Sequence, residues 1–144
     1  MRLGEVIAWQ EQWVHGGLHG FRPAHGAEDV FWGLALRLEE ALLSGEDLAG
    51  FSLDYAKCFD KVPVAISLRL AEEVGMSKEV LRGLRGMYAQ LERRFKVAGG
   101  VGSPWQSTNG ILQGCPLCVI LLTLLVTVWA RAVEEEVPLG LPAL

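Results

Sequence analysis

The sequence has few cysteines, no long apolar run and no apolar leader at its N-terminus. Its three cysteines fit a reducing compartment better than a framework of disulfides. The longest apolar stretch, residues 117–130, falls short of the roughly 20 residues that cross a bilayer. Charged and tryptophan residues interrupt the region where a signal peptide needs unbroken apolar sequence. We therefore expect an intracellular protein with no signal peptide and no transmembrane helix.

An excess of basic charge, which is typical of chains that coat nucleic acid, is also lacking. The formal net charge is -4, from 13 basic and 17 acidic residues. Six of the basic residues nevertheless fall between residues 78 and 96, so a local basic surface remains compatible with the sequence. With 144 residues and 51% hydrophobic content, the chain can form one core of ordinary size.

The apolar periodicity predicts a mixed fold with helices interleaved among a few strands, of the α/β or α+β class. Helices are expected from Ala27 to Ser44, from Pro63 to about Val74, from Ser77 to Leu91 and over residues 117–134. Strands are expected at residues 48–53, 93–97 and 105–108, with the last two forming a hairpin. The glycine-rich and histidine-rich residues 15–26 predict a loop. The result is a few-stranded sheet packed by helices.

Asp54 directly follows the short apolar stretch that is predicted to be a buried strand. A carboxylate at a strand end can be held rigidly and still reach solvent. Mg²⁺ in phosphoryl-transfer sites uses one or two such carboxylates together with phosphate oxygens. An aspartate after a strand also commonly caps a turn. Spacing alone therefore leaves both interpretations open.

Three stretches of the sequence, in this order, resemble motifs of the reverse transcriptase family. They are "HGFRPAHGAEDV" at residues 19–30, "LDYAKCFDKV" at residues 53–62 and "NGILQGCPL" at residues 109–117. The second is similar to the first palm motif, in which an aromatic residue follows an aspartate after four residues. The third is similar to the second palm motif, a Gln-Gly-Ser/Cys-Pro-Leu stretch that opens a long helix. The set spans about residues 18–132 and is closest in type to retrotransposon and group II intron enzymes.

The resemblance implies a partial right-hand polymerase palm with part of the fingers. The implied activity is RNA-directed DNA polymerisation by two-metal nucleotidyl transfer, with Mg²⁺ as cofactor. The implied partners are an RNA template, a DNA primer and deoxynucleotides, without a membrane, and the oligomeric state stays open. A nuclear setting would suit a retroelement.

The same resemblance assigns roles to individual residues. Asp54 would bridge the two catalytic Mg²⁺ ions, and the backbone carbonyl of Tyr55, at the edge of the substrate site, would be a further metal ligand. Phe59 would lie beneath the nucleotide sugar and leave no room for a 2'-hydroxyl. Gln113 and Gly114 would line the nascent base pair. In plainer alternatives, Phe59 is a core residue and the Gln113–Gly114 stretch is only a loop before a helix.

Four basic residues are candidates for contacts with nucleic acid. Arg22 would contact template or nucleotide phosphates. Arg93, Arg94 and Lys96 would follow the nucleic-acid backbone in a salt-dependent contact, although a solvated strand face is an equal alternative. Asp60 is expected to organise the start of a helix rather than to bind metal.

The sequence departs from the family pattern in its third palm motif. A Tyr-x-Asp-Asp turn is absent, because the last aspartate in the sequence is Asp60. Two Mg²⁺ ions need several converging anionic ligands, which one rigid aspartate does not supply. The basic fingers segment and the thumb are absent as well, and Cys118 stands where the family usually has serine. We expect residues 1–144 to be a single partial domain, cut at both ends and inactive as an isolated chain.

Two other functions are compatible with the same residues. The chain could be a catalytically dead interaction module that keeps the palm scaffold and binds a partner through exposed apolar surface. It could also be a zinc module in which Cys115 and Cys118 join His15 and His19 in a Cys₂His₂ set. The wide separation of the two pairs, and the apolar helix that Pro116 opens, argue against zinc. The same context argues against a redox-active Cys-x-x-Cys site.

Overall fold

The computed structural model describes residues 3–136, and the α+β character that the sequence predicts is present there. The described part contains six helices and four two-residue strands. The helices are α1 Leu3–Gln10, α2 Ala27–Ser44, α3 Cys58–Lys61, α4 Val64–Glu73, α5 Lys78–Ala89 and α6 Pro116–Glu136. The strands are β1 Glu92–Arg93, β2 Lys96–Val97, β3 Gly100–Val101 and β4 Trp105–Gln106.

The chain divides into two compact units. The first unit is Lys57–Leu125, and the second contains residues 3–56 and 126–136 of the described part. Helix α6 supplies residues to both units. The single partial domain expected over residues 1–144 stays a prediction, and its residues 1, 2 and 137–144 lie outside the described part.

Helices α4 and α5 pack together in the first unit and confirm two of the predicted helices. Pro63 occupies the N-cap of α4, where its missing N–H costs nothing, and Gly75 ends the turn after the helix with φ 81°. The Ser77 hydroxyl caps α5 by accepting a hydrogen bond from Val80 N at 3.4 Å. The buried apolar side chains of this pair of helices and the turn between them are Leu68, Ala71, Met76, Leu81 and Leu84.

The strands form two nested antiparallel pairs rather than one continuous hairpin. β1 pairs with β4, with Arg93 opposite Trp105, and β2 pairs with β3. The predicted strand 93–97 is therefore interrupted at residues 94 and 95. Ala98 and Gly99 both have positive φ, of 47° and 83°, as a two-residue hairpin turn of type I′ requires.

The second unit contains α1, the loop before α2, and α2 itself. Val6, Gln10, Trp13 and Leu18 are buried in α1 and the loop. Helix α2 runs over the predicted residues and ends where Gly45 adopts a left-handed conformation with φ 71°. No residue of α2 is buried in the described structure. Its exposed side chains include Phe31, Trp32, Leu34, Leu36, Leu38, Leu42 and Leu43.

The buried strand predicted at residues 48–53 is wrong. These residues are irregular and exposed, and Phe51 keeps 82% of its side-chain surface in solvent. A strand needs a neighbour for its backbone hydrogen bonds, and strand pairing in residues 3–136 is confined to residues 92–106. Asp54 therefore follows an irregular segment and not a strand end.

Helix α6 extends the predicted helix 117–134 by a residue or two at each end. It is the one described helix that is long and apolar enough to cross a membrane by length and composition, and 39% of its most apolar window is buried. Core helices of soluble proteins have the same properties, so the expected lack of a membrane helix stays a prediction. Thr123 and Thr127 on this helix are buried. Thr123 Oγ1 satisfies its hydrogen-bonding capacity by donating to Val119 O at 3.1 Å.

Candidate functional site

Two backbone hydrogen bonds within the first unit join the end of residues 53–62 to the start of residues 109–117. These are the stretches that resemble the first and second palm motifs. Gly110 N donates to Val62 O at 2.8 Å, and Ile111 N donates to Phe59 O at 2.8 Å. Residues 59–62 lie on and just after α3, while residues 110 and 111 begin the loop before α6. We call this pair of bonds the α3–loop clasp. It brings together two segments that are about 50 residues apart in sequence.

The α3–loop clasp requires a glycine at position 110. Gly110 is buried with φ 96°, and a Cβ at this position would lie 2.8 Å from Asp60 O. Arg93 Nη2 donates to Gly110 O at 3.2 Å and holds the same peptide from the hairpin side. Any side chain here would therefore combine backbone strain with a collision against backbone.

Tyr88 on α5 anchors the second half of the loop. Its hydroxyl accepts a hydrogen bond from Leu112 N at 3.3 Å and lies 3.0 Å from Cys118 Sγ. Burial raises the pKa of the Tyr88 phenol and also raises the pKa of the Cys118 thiol. Both groups are therefore neutral at physiological pH, and this half of the loop is anchored by uncharged side chains.

Gln113 and Gly114 lie between these two anchors and are exposed. Within residues 3–136 the Gln113 amide makes no hydrogen bond, so both its donor and its acceptor face solvent. Gly114 has φ 84°, and open space surrounds the position where its Cβ would be. The local reason for glycine is thus backbone conformation, while the expected contact with a base pair stays a prediction.

Phe59, Asp54 and Tyr55 occupy different settings. Phe59 is half-buried on α3, which is compatible with both core packing and a nucleotide gate. Asp54 and Tyr55 belong to the second unit, and both are exposed in its irregular segment. Asp60 lies in the first turn of α3, and its N–H donates to Lys57 O at 3.0 Å. Lys57 itself has a left-handed φ of 54°.

The donor set in the described residues does not fit a site for two Mg²⁺ ions. Such a site needs several carboxylates that converge on the metals. Asp54 belongs to no group of three potential ligands in residues 3–136, and the sequence contains no aspartate after Asp60. Within residues 3–136, Asp54 therefore has no second carboxylate grouped with it and a third ligand, and no catalytic step through Mg²⁺ follows from this arrangement.

Arg22, a predicted phosphate contact, is engaged inside the second unit. Its Nη2 lies 2.7 Å from Glu11 Oε2, and its Nη1 donates to Leu18 O at 2.8 Å. The hydrogen bond from Arg22 lowers the pKa of the Glu11 carboxyl. A phosphate would have to displace these partners, which makes Arg22 foremost a structural residue of the loop before α2.

Of the three basic residues of the hairpin, one is half-buried and two are exposed to solvent. Arg93 is half-buried, with its guanidinium 5.8 Å from the centre of the Trp105 ring. Arg94 is exposed and 3.6 Å from Glu92, and Lys96 is exposed on β2. Phe95 stacks on Trp105 with ring centroids 5.8 Å apart, a pairing that the sequence pattern did not predict. The hairpin thus presents exposed aromatic surface beside two available cations.

The proposed zinc ligands are partly engaged elsewhere. Within the second unit, His15 Nε2 lies 2.9 Å from Glu134 Oε1, and His15 Nδ1 accepts a hydrogen bond from Gly17 N at 3.0 Å. Cys118 contacts the Tyr88 hydroxyl, as described above. Neither His15 nor the cysteines belong to a group of three potential ligands in the described residues.

Compared with known proteins, the chain matches no family model and gives no significant match to a solved structure.

Proposed function

We propose that this chain is a reverse transcriptase palm segment of the retrotransposon type that binds nucleic acid but does not polymerise by itself. The α3–loop clasp carries the proposal, because within the first unit it joins residues 59–62, the end of one stretch that resembles a palm motif, to residues 110 and 111 of the other. A palm requires the first and second motifs to lie together around the nucleotide. Two stretches so far apart in sequence have no local reason to be joined.

Each site residue has a defined part in this proposal. The Gln113 amide, open to solvent on an anchored loop, offers a donor and an acceptor to a nucleotide edge. The Phe59 ring lies on α3, next to the clasp, as a sugar-facing gate. Asp54 and the carbonyl of Tyr55 belong to the second unit, and only the resemblance to the first palm motif proposes them as metal ligands. Carboxylates from a further polypeptide segment would be needed to complete such a site.

The nucleic-acid part of the proposal is tested by the salt dependence of binding to a labelled single-stranded RNA. Each phosphate contact contributes about 0.7 to the slope of log K against log salt for single strands. The double variant Arg94→Ala/Lys96→Ala should therefore lower the slope by about 1.4. Arg82→Ala, an exposed arginine on α5, is the matched control and should leave the slope unchanged. The lack of measurable binding by the wild type at low salt would contradict the proposal.

The catalytic part is tested by primer extension on an RNA template with Mg²⁺. We expect no extension by the isolated chain and the same result for Asp54→Asn. Extension that Asp54→Asn abolishes would show that the chain is active, contrary to the proposal. Reading the coding DNA past the Leu144 codon is an independent check, because an in-frame Tyr-x-Asp-Asp would identify the segment that completes the site.

The second candidate, a catalytically dead interaction module, is favoured by the surface of α2. Leu42 and Leu43 are 82% and 89% exposed, and no described residue of this helix is buried. An apolar helix of this kind commonly marks a protein interface. The interaction module predicts no affinity for RNA, and it predicts that Leu42→Glu/Leu43→Glu suppresses self-association in light scattering. RNA binding with the expected salt slope would exclude it as the sole function.

A further inference from the structure

Three potential metal ligands lie together where the loop before α2 meets the helix. One nitrogen from His19, one from His25 and one oxygen from Asp29 all lie within 4.8 Å of one another. The two imidazole rings are in edge contact, with centroids 5.3 Å apart. In residues 3–136 this is the one group of three such ligand atoms. It is separate from Asp54 and from the α3–loop clasp.

The strongest indication of a ligand is a buried nitrogen of this cluster that makes no hydrogen bond. His19 Nδ1 is buried and has no hydrogen-bond partner in the described residues. It lies 3.6 Å from Asp29 Oδ2, which is too long for a hydrogen bond. A buried polar atom without a partner destabilises the folded chain, so such an atom commonly marks the place of an ion or a water molecule.

The distance between His19 Nδ1 and Asp29 Oδ2 fits two ligands of one metal ion better than it fits a direct hydrogen bond. Ligands at about 2.0–2.1 Å from a tetrahedral Zn²⁺ are about 3.3 Å apart. The 3.6 Å between His19 Nδ1 and Asp29 Oδ2 needs only a small adjustment to reach this value. The His25 side chain is exposed, so it can rotate to bring its nitrogen to the same metal ion as the third ligand.

The backbone around the cluster is already held in place. Asp29 Oδ2 accepts a hydrogen bond from Gly26 N at 2.8 Å, which fixes the carboxylate at the start of α2. Gln10 Nε2 donates to Phe21 O at 3.2 Å, and Arg22 binds Leu18 O. Phe21 and Ala24 both have left-handed φ, near 60°, a strained conformation that the surrounding bonds maintain.

We propose that His19, His25 and Asp29 bind one divalent transition-metal ion, with Zn²⁺ as the best fit. Two imidazoles and one carboxylate are ligands that Zn²⁺ accepts, whereas Mg²⁺ prefers oxygen ligands throughout. Three protein ligands leave a fourth position for water or a further ligand. The site lies at the junction of the loop with α2 and stabilises that junction when metal is bound. The proposal does not depend on the reverse transcriptase assignment.

The test is a calorimetric titration of tag-free, chelator-stripped protein with ZnCl₂, repeated with CoCl₂ to record its absorption spectrum. We expect one ion per chain, and for Co²⁺ a tetrahedral visible spectrum without the strong near-ultraviolet band of a cobalt–thiolate bond. His25→Ala and Asp29→Asn should each weaken binding at least tenfold. His15→Gln, which changes a histidine of the same unit outside the cluster, is the matched control and should bind as the wild type does.

Three results would overturn the proposal. They are no Zn²⁺ binding by the wild type, unchanged affinity in both His25→Ala and Asp29→Asn, and loss of binding in Cys115→Ser, which would assign the metal to the cysteines. Circular dichroism of each variant checks that it folds. If His25→Ala fails to fold, His19→Gln takes its place with the same expected loss.

Discussion

At the scale of single residues, Gly110 is the position least tolerant of change. Alanine there would place a Cβ 2.8 Å from Asp60 O in a backbone with φ 96°. We expect Gly110→Ala to lower the free energy of unfolding by about 2–3 kcal/mol, measured by urea denaturation. Gly83→Ala, on the exposed face of α5, should instead raise it by about 0.8 kcal/mol. Equal stability of the two variants would show that the α3–loop clasp does not contribute to the fold.

The Tyr88 and Cys118 pair predicts a loss of stability in alkali. Burial raises the pKa of both groups in the folded chain, so the unfolded chain loses these protons first as the pH rises. Their contribution is complete below the unfolded pKa values, about 8.5 for cysteine and 10 for tyrosine, and is lost above them. We expect unfolding free energies measured by urea at pH 7, 9 and 10 to fall with pH.

The variant Tyr88→Phe/Cys118→Ala separates this pair from other alkaline effects. It should be less stable than the wild type at pH 7, because Leu112 N loses its acceptor. It should also lose less stability between pH 7 and pH 10. An identical pH dependence in wild type and variant would contradict the assignment.

At the scale of elements, Ser77 gives a direct test of how α5 begins. Its hydroxyl accepts from Val80 N at 3.4 Å, which satisfies one of the free N–H groups of the first turn. We expect Ser77→Ala to cost about 1 kcal/mol in urea denaturation. Ser52→Ala, in the exposed irregular segment, is the control and should change stability by less than about 0.5 kcal/mol.

The sequence predicts four of the six described helices, because their signals are local, whereas α1 and the four-residue α3 were not predicted. The start and end of α2, the Ser77 cap and the Gly75 stop all depend on residues within one or two turns. The strand expected at residues 48–53 fails for the opposite reason, because a strand needs a partner that local patterning does not specify. The hairpin lies between these cases. Its position is right, but the break at residues 94 and 95 comes from cross-strand register.

The sequence marks the stretches that form the candidate site, but it does not show which atoms of those stretches contact each other. The two motif stretches mark residues 59–62 and 109–117, yet the clasp atoms are backbone groups that no side-chain pattern reveals. Arg22 was proposed as a phosphate contact from the motif resemblance and Arg93 from its basic charge, whereas their partners Glu11 and Gly110 come from tertiary structure. His25 and Asp29 were missed, although their positions six and ten residues after His19 are visible in the sequence.

At the scale of the whole molecule, the segment around Asp54 is the expected site of proteolysis. Residues 47–56 are exposed and irregular in the described structure, and they include Phe51 and Tyr55. We expect limited chymotrypsin treatment to cut first after one of these two residues, as read by mass spectrometry of the early fragments. Tyr88, half-buried in α5, should be cut later and serves as the internal control. First cleavage at Tyr88 would show that α5 opens more readily than this segment.

The exposed segment that carries Asp54 would lose conformational entropy if a binding partner ordered it as a strand. This loss affects the enthalpy, entropy and heat capacity of binding. Fixing its backbone costs about 1–2 kcal/mol per residue in conformational entropy. Contacts to Phe51 and Leu53, now 82% and 56% exposed, would have to offset that cost. Binding through this segment would therefore show coupled ordering: a negative heat-capacity change, favourable enthalpy opposed by entropy, and modest affinity for the area buried.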